Sequence, residues 1–328
     1  MKKKYENQLI IDGLQYCNWN RQIFEDLWKG GITAIHATLV YWENTQESFA
    51  KMNQWNIFFK ENKDIILHAK TTDDILYAKQ NNKVAILFGF QNSAPIGNDI
   101  NLLENFFNDG LRFMQLTYNN QTAIGGGCFE KNDSGISRFG KEVIEEMNRL
   151  GMIIDLSHAG KKTCLDTIHH SLKPVAISHA NPSFFHKSIR NIDDDVLIAL
   201  SKKNGFIGLS LYPYHLKNLG KCSIEDFCTM IKKLINLIGI EHIGIGSDLC
   251  INWPDEVVMW MRNGKWTKKI DYGESKSQNN KWPDQPSWFK KGSDLKNIFE
   301  SLVLNGLSED DSFAILGKNW FNFMKMHF

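Results

Sequence analysis

Short apolar runs alternate with amphipathic stretches along all 328 residues of the chain. Runs rich in Val, Ile, Leu and Phe lie at residues 9–12, 32–39, 84–88, 111–116, 152–156, 175–177, 206–211 and 242–247. Most are apolar on successive positions rather than on alternate ones, the pattern of strands in a parallel sheet covered on both faces. Between them lie stretches with one polar face, for example 20–29, 139–150 and 193–203, which predict helices. The last opens on Asp193, Asp194 and Asp195, acids favoured at the positive start of a helix, and stops at Asn204-Gly205. Eight strands alternating with helices predict a closed (β/α)8 TIM barrel. An open doubly wound sheet is the alternative fold, but no glycine-rich phosphate-binding turn supports it.

One stretch breaks the rhythm. Residues 250–291 hold five tryptophans with prolines, glycines and many polar residues, too aromatic for a disordered linker. The stretch follows the last strand, so on a barrel it lies over the face where loops build a site, and it is expected to act as a lid or pocket wall, with a purely structural or oligomer-contact role as the alternative. Helices at 295–305 and 309–324 then close a single domain spanning 1–328. A net charge of +1 and a pI near 7.6 argue against nucleic acid or an anionic membrane as partner. No leader-like apolar stretch follows the basic start, and no window approaches the roughly 20 apolar residues of a membrane span. A cytoplasmic location is therefore expected, with the six scattered cysteines as free thiols.

Chemistry in such a barrel comes from polar residues at the C-terminal ends of strands. Three ends qualify: Asp155-Leu156-Ser157-His158, Ser178-His179-Ala180-Asn181 and Gly246-Ser247-Asp248. One histidine alone reads as a hydrogen-bonded core residue. Two histidines and an aspartate on three strand ends form a plausible metal constellation. Arg190 follows the second of these ends, where a guanidinium can grip a carboxylate through two hydrogen bonds or serve a plain ion pair.

Those strand ends, together with Phe139-Gly140-Lys141-Glu142-Val143, Met147-Asn148-Arg149-Leu150-Gly151, Arg190-Asn191 and Leu316-Gly317-Lys318-Asn319-Trp320, resemble the membrane (renal) dipeptidase family of zinc peptidases. The resemblance is collinear from about residue 8 onward and densest between 110 and 250. It implies an amidohydrolase-type (β/α)8 barrel that hydrolyses dipeptides with two zinc ions, often as a dimer. It implies His158 and His179 as ligands of one zinc, Asp248 as the acid that handles the proton for the leaving amine, and Arg190 as the grip on the substrate carboxylate.

The other half of that site departs from the family. The family's first strand ends Asp-Gly-His-x-Asp, whose His and Asp bind the other zinc. Here Asp12-Gly13-Leu14-Gln15-Tyr16 puts Leu14 and Tyr16 at the ligand positions. Gln91 stands where a bridging glutamate is expected, and Tyr118 where a histidine contacts the reacting carbonyl. Two divalent cations about 3.5–4 Å apart repel by roughly 17–19 kcal/mol at an effective dielectric of about 20. Bridging anions must offset that repulsion, and an amide supplies none. A two-metal centre is therefore expected to be absent, leaving one zinc or other divalent ion on His158 and His179, with Asp248 or Gln91 and water completing the shell. Cys17, one residue past the altered ligand pair, is a further candidate donor or nucleophile, against a plain packed thiol. Two readings follow: a one-metal hydrolase of a dipeptide or similar small amide with a free carboxylate, or a catalytically inactive homologue that binds a small molecule.

Overall fold

In a computed structural model, which describes residue 5 and residues 7–263 and 281–328, the expected barrel is present. The strands are β1 (Ile11–Gln15), β2 (Ala34–Val40), β3 (Ile66–His68), β4 (Val84–Phe90), β5 (Leu111–Gln115), β6 (Ile153–Asp155), β7 (Ala176–Ala180), β8 (Phe206–Leu209) and β9 (Ile243–Ile245). Every pairing between them is parallel. Eight strands close the ring, because β2 pairs with β4 and β1 pairs with β9. The three-residue β3 is the addition that the apolar pattern did not reveal. It lies against the first half of β4, Ile66 opposite Val84, while β5 takes the second half, Leu111 opposite Phe88.

Helices pack around this ring through narrow apolar stripes. Helix α1 (Arg21–Lys29) starts where the Asn20 side chain accepts from the Ile23 amide, and it buries Ile23, Phe24 and Leu27. Helix α2 (Arg138–Leu150) is capped by Ser137 and ends at Gly151, whose φ of 82° suits glycine. Helix α3 (Asp194–Lys202) presents Asp194 and Asp195 in its first turn, as its sequence predicts. In the 250–291 segment, helix α4 (Glu256–Asn263) is followed by residues outside the described set. Among the described residues, no helix is long and apolar enough to cross a membrane.

The expected helix at 309–324 is present but is not α-helical throughout. Its middle turn, Ala314–Lys318, widens to a π-helix. Packing accounts for this: Gly317 lies against the Leu9 carbonyl, and Asn319 Nδ2 donates to the Ile240 and Ile243 carbonyls. The wider turn also lets Trp320 enter the barrel, where its Nε1 donates to the Ile245 carbonyl at 2.8 Å. The indole faces Gly13, Gly208 and Gly244, and a Cβ at any of them would come within 3 Å of it. Trp320, Phe323 and Met324 join early strand residues such as Ile11, Ala34, Ile153 and Ala176 in one apolar cluster, so the last helix closes the N-terminal end. Toward the other end the interior turns polar, with Asp12, Gln15, His36, Gln115, Asp155, Ser178 and Ser247 all buried.

Candidate active site

Two buried aspartates organise the strand ends. Asp155, on β6, accepts from the Ser157 and Ser178 amides at 3.1 and 2.9 Å, from both serine hydroxyls, and from Gln115 Nε2 at 3.0 Å. Asp12, on β1, accepts from the Ser247 amide at 2.7 Å, the Ser247 hydroxyl at 2.5 Å and Gln15 Nε2 at 2.8 Å. Burial lifts the Asp12 carboxyl to about 6, and these donors only partly counter it.

The serine network fixes the imidazoles. The Ser178 hydroxyl donates to Asp155, so toward His179 Nδ1, 2.8 Å away, it acts as acceptor, and Nδ1 carries the hydrogen. His158 Nδ1 lies 2.6 Å from Asn119 Oδ1, which can only accept, so this nitrogen also carries its hydrogen. Burial, followed by the nearby Arg190 charge, holds both rings well below the ordinary histidine range, so both are neutral at pH 7. Their Nε2 atoms then present bare lone pairs to each other across 3.0 Å.

A third lone pair joins them. Gln91 Nε2 donates to Thr38 Oγ1 at 2.8 Å and to the Tyr41 hydroxyl at 3.2 Å, which turns Gln91 Oε1 toward His158 Nε2 at 3.1 Å. Three acceptors with no hydrogen among them repel unless a cation lies between. Two nitrogens that share a tetrahedral metal at about 2.0–2.1 Å stand roughly 3.3 Å apart, close to the separation here. The donor set therefore fits one cation, with two imidazoles and a neutral amide oxygen as its protein ligands. Among the described residues, no group of three or more His, Cys, Asp or Glu side chains could hold a metal ion.

The positions that resemble the family's other ligands hold apolar and aromatic groups. Leu14 is fully buried, and its carbonyl accepts from the Asp248 amide at 3.0 Å. The Tyr16 ring packs edge-on against Tyr41 with centroids 4.5 Å apart and stacks on Trp253 at 4.8 Å. Tyr41 in turn meets Tyr118 edge-to-face at 4.9 Å, and Tyr118 meets Trp42 at 5.1 Å. Burial raises the Tyr16 and Tyr41 phenols, so neither ionises to an anionic ligand. An aromatic cluster thus takes in two of the four substituted positions, Tyr16 and Tyr118, while the other two hold the apolar Leu14 and the Gln91 amide.

A cavity opens above these groups and brings together Gln91, Tyr118, His158, Arg190 and Asp248. His179 lies below His158, fully buried. Arg190 Nη1 donates to the Ser157 carbonyl and Nη2 to the His179 carbonyl at 3.3 Å, so the guanidinium is fastened to two strand ends. Two of its five N–H donors are used in these bonds. Asp248 sits on the loop after β9 in a left-handed conformation, φ 54°. The 250–291 segment contributes Cys250, Val258, Met261, Arg262, Lys281 and Trp282 to the cavity wall. Cys17 is not at the cavity: it is fully buried, its Sγ lies 3.4 Å from the Leu249 carbonyl, and burial raises its thiol. Sequence reasoning missed Tyr41, Asn119, Tyr212 and His215, which also line the cavity. His215 follows β8, and its Nδ1 lies 2.7 Å from the Ser210 hydroxyl; a histidine soon after a strand end was its only signal.

Residues 21–256 match the family described as membrane dipeptidase, peptidase family M19. An uncharacterized dipeptidase of Schizosaccharomyces pombe is 32% identical over 198 residues, which are 58% of this chain and 47% of that protein. A dipeptidase of Claviceps purpurea is 32% identical over 183 residues, 55% of this chain and 43% of that protein. The chain thus spans about half the length of the curated relatives it matches. Among solved structures, an amidohydrolase from Pseudomonas aeruginosa is 32% identical with a TM-score of 0.94, covering 99% of this chain and 98% of that one. A Rhodobacter sphaeroides metallo peptidase liganded with a phosphinate mimic of the dipeptide L-Ala-D-Ala shares the fold, with a TM-score of 0.80 at 15% identity over 98% of this chain and 100% of that one.

Proposed function

Because the chain belongs to the membrane dipeptidase family, peptidase family M19, we propose that its cavity binds a small amide carrying a free carboxylate, at a site rebuilt around a single cation. The observation that carries this reading is the meeting of the His158, His179 and Gln91 lone pairs beneath a cavity that also presents Arg190 and Asp248.

One divalent ion, zinc or another, would be held by His158 Nε2, His179 Nε2 and Gln91 Oε1. When bound it supplies polarisation of the amide carbonyl and a water of lowered pKa. The chain's own groups do the rest. Arg190, fixed on the carbonyls of Ser157 and His179, turns its remaining N–H donors to the substrate carboxylate and so sets the register of the amide. Asp248 takes a proton from the attacking water and returns it to the leaving nitrogen. Tyr118 packs over His158 with centroids 4.3 Å apart and, with the walls from 250–291, keeps bulk water from the amide.

A second reading has its own support. No three-member group of His, Cys, Asp and Glu could hold a metal among the described residues, and the aromatic cluster occupies the other half of the site. Both favour a relative that binds its ligand without efficient turnover. Elemental mass spectrometry of freshly purified protein, with dipeptide hydrolysis measured in parallel, separates the two. About one zinc per chain, lost with activity in His158→Ala, supports the one-metal hydrolase. A stoichiometry near zero after adding zinc, with carboxylate ligands still bound, leaves the binding protein. Two ions per chain would overturn the single-cation site.

A further inference from the structure

The cavity wall says which amide fits. Among the described residues lining it, Asp248 is the one carboxylate, and Arg190, Arg262 and Lys281 line the same cavity. The positions at which family resemblance would place two more carboxylates hold Tyr16 and Gln91. A dipeptide brings an ammonium group beside its scissile carbonyl. Here that group would meet Tyr41, Tyr118 and the Gln91 amide, with Asp248 already committed to moving the proton. The same wall suits an uncharged arm: Tyr41 and Tyr118 are buried side by side, and Val258, Met261 and Trp282 complete a largely apolar surface.

We infer that the site takes an N-acyl amino acid, with its carboxylate on Arg190 and an aromatic or bulky apolar acyl arm between Tyr41, Tyr118 and Trp282, in preference to a dipeptide with a free amine. This rests on the reading of the cavity as an amide site with Arg190 as its carboxylate grip. In hydrolysis, water adds across the amide. The acyl carbon gains the oxygen and departs as a carboxylate, the C–N bond breaks, and the nitrogen takes a proton to give a free amino acid.

The test compares three probes on the full chain supplied with zinc, by titration calorimetry at pH 7 with released glycine assayed in parallel. N-(3-phenylpropanoyl)glycine and phenylalanylglycine differ only in the amine, and N-acetylglycine removes the arm. The expected result is that phenylpropanoylglycine binds roughly tenfold or more tighter than either of the others. Trp282→Ala should shrink the phenylpropanoyl-to-acetyl affinity ratio, because it removes part of the wall and leaves the carboxylate grip. Equal or tighter binding of phenylalanylglycine overturns the inference, as does equal binding of acetylglycine or binding of none of the three. The predicted order of affinities with no glycine released from any probe supports this ligand class and removes the hydrolase reading.

Discussion

At the scale of single residues, the site depends on where hydrogens sit. His179 presents its Nε2 lone pair only because the Ser178 hydroxyl is spent on Asp155 and must accept from Nδ1. Outer partners of this kind typically change metal affinity by about 10–100-fold when removed. Ser178→Ala deletes the acceptor, frees the ring to adopt the other tautomer, and should weaken zinc binding by about that factor with little change in fold. Competition against a chromophoric chelator measures it. Unchanged affinity would mean the Asp155–Ser178 chain does not set the tautomer. Much of this scale was legible beforehand. His158, His179, Arg190 and Asp248 stand out as polar residues just past apolar runs; the structure brings His158, Arg190 and Asp248 to one cavity, with the buried His179 3.0 Å from His158. The orientation of Gln91 was not legible. It depends on Thr38 and Tyr41, about fifty residues away in the chain, and long-range hydrogen bonds leave no local pattern.

At the scale of elements, the barrel was readable because most strands lie in runs that are apolar on successive positions, a signal that needs no partner. What escaped were features made by packing between elements. β3 escaped although β6 and β9 are equally short and did not; it lies outside the eight-strand ring, against the first half of β4. The π-turn before Trp320 exists because an indole has to reach into a ring lined by glycines. The aromatic cluster of Tyr16, Tyr41 and Tyr118 draws on three separate strand ends. One packing detail gives a sharp prediction. A Cβ on Gly246 would lie 1.7 Å from the Ser178 carbonyl oxygen, and one on Gly208 would lie 2.1 Å from the same atom. Backbone cannot swing aside as a side-chain tip can, so β7 or the end of β9 must move. Gly246→Ala should lose about 2–4 kcal/mol in a urea melt and also weaken zinc binding, since His179 follows Ser178 directly. A variant within about 0.5 kcal/mol of the parent would show that the strand ends yield more easily than their packing suggests.

At the scale of the whole molecule, the polar interior predicts how stability responds to pH. Burial depresses His36, His68, His158 and His179, with His36 and His68 held at about 4. A depressed imidazole binds fewer protons folded than unfolded. Its stabilisation is present above the unfolded value near 6.5 and is lost as pH falls toward the folded value. For His36, fully inside the barrel, that loss is about 3 kcal/mol. Asp12 runs the other way. Its folded value of about 6 lies above the ordinary 3.8, so its burial is a cost above pH 6 that is relieved as pH falls toward 4. One carboxyl of this size offsets one imidazole, and the other depressed imidazoles, with His327 added to them by its own burial, remain on the losing side. The unfolding free energy of chelator-stripped protein should therefore fall by several kcal/mol between about pH 7.5 and 4.5. With zinc present the fall should be steeper, because a bound cation requires His158 and His179 to stay deprotonated. The contrast matters more than either slope. Equal slopes with and without zinc would mean that no cation is held by the His158–His179 pair, whereas a flat profile in the stripped protein would mean that these rings take up protons without unfolding the barrel.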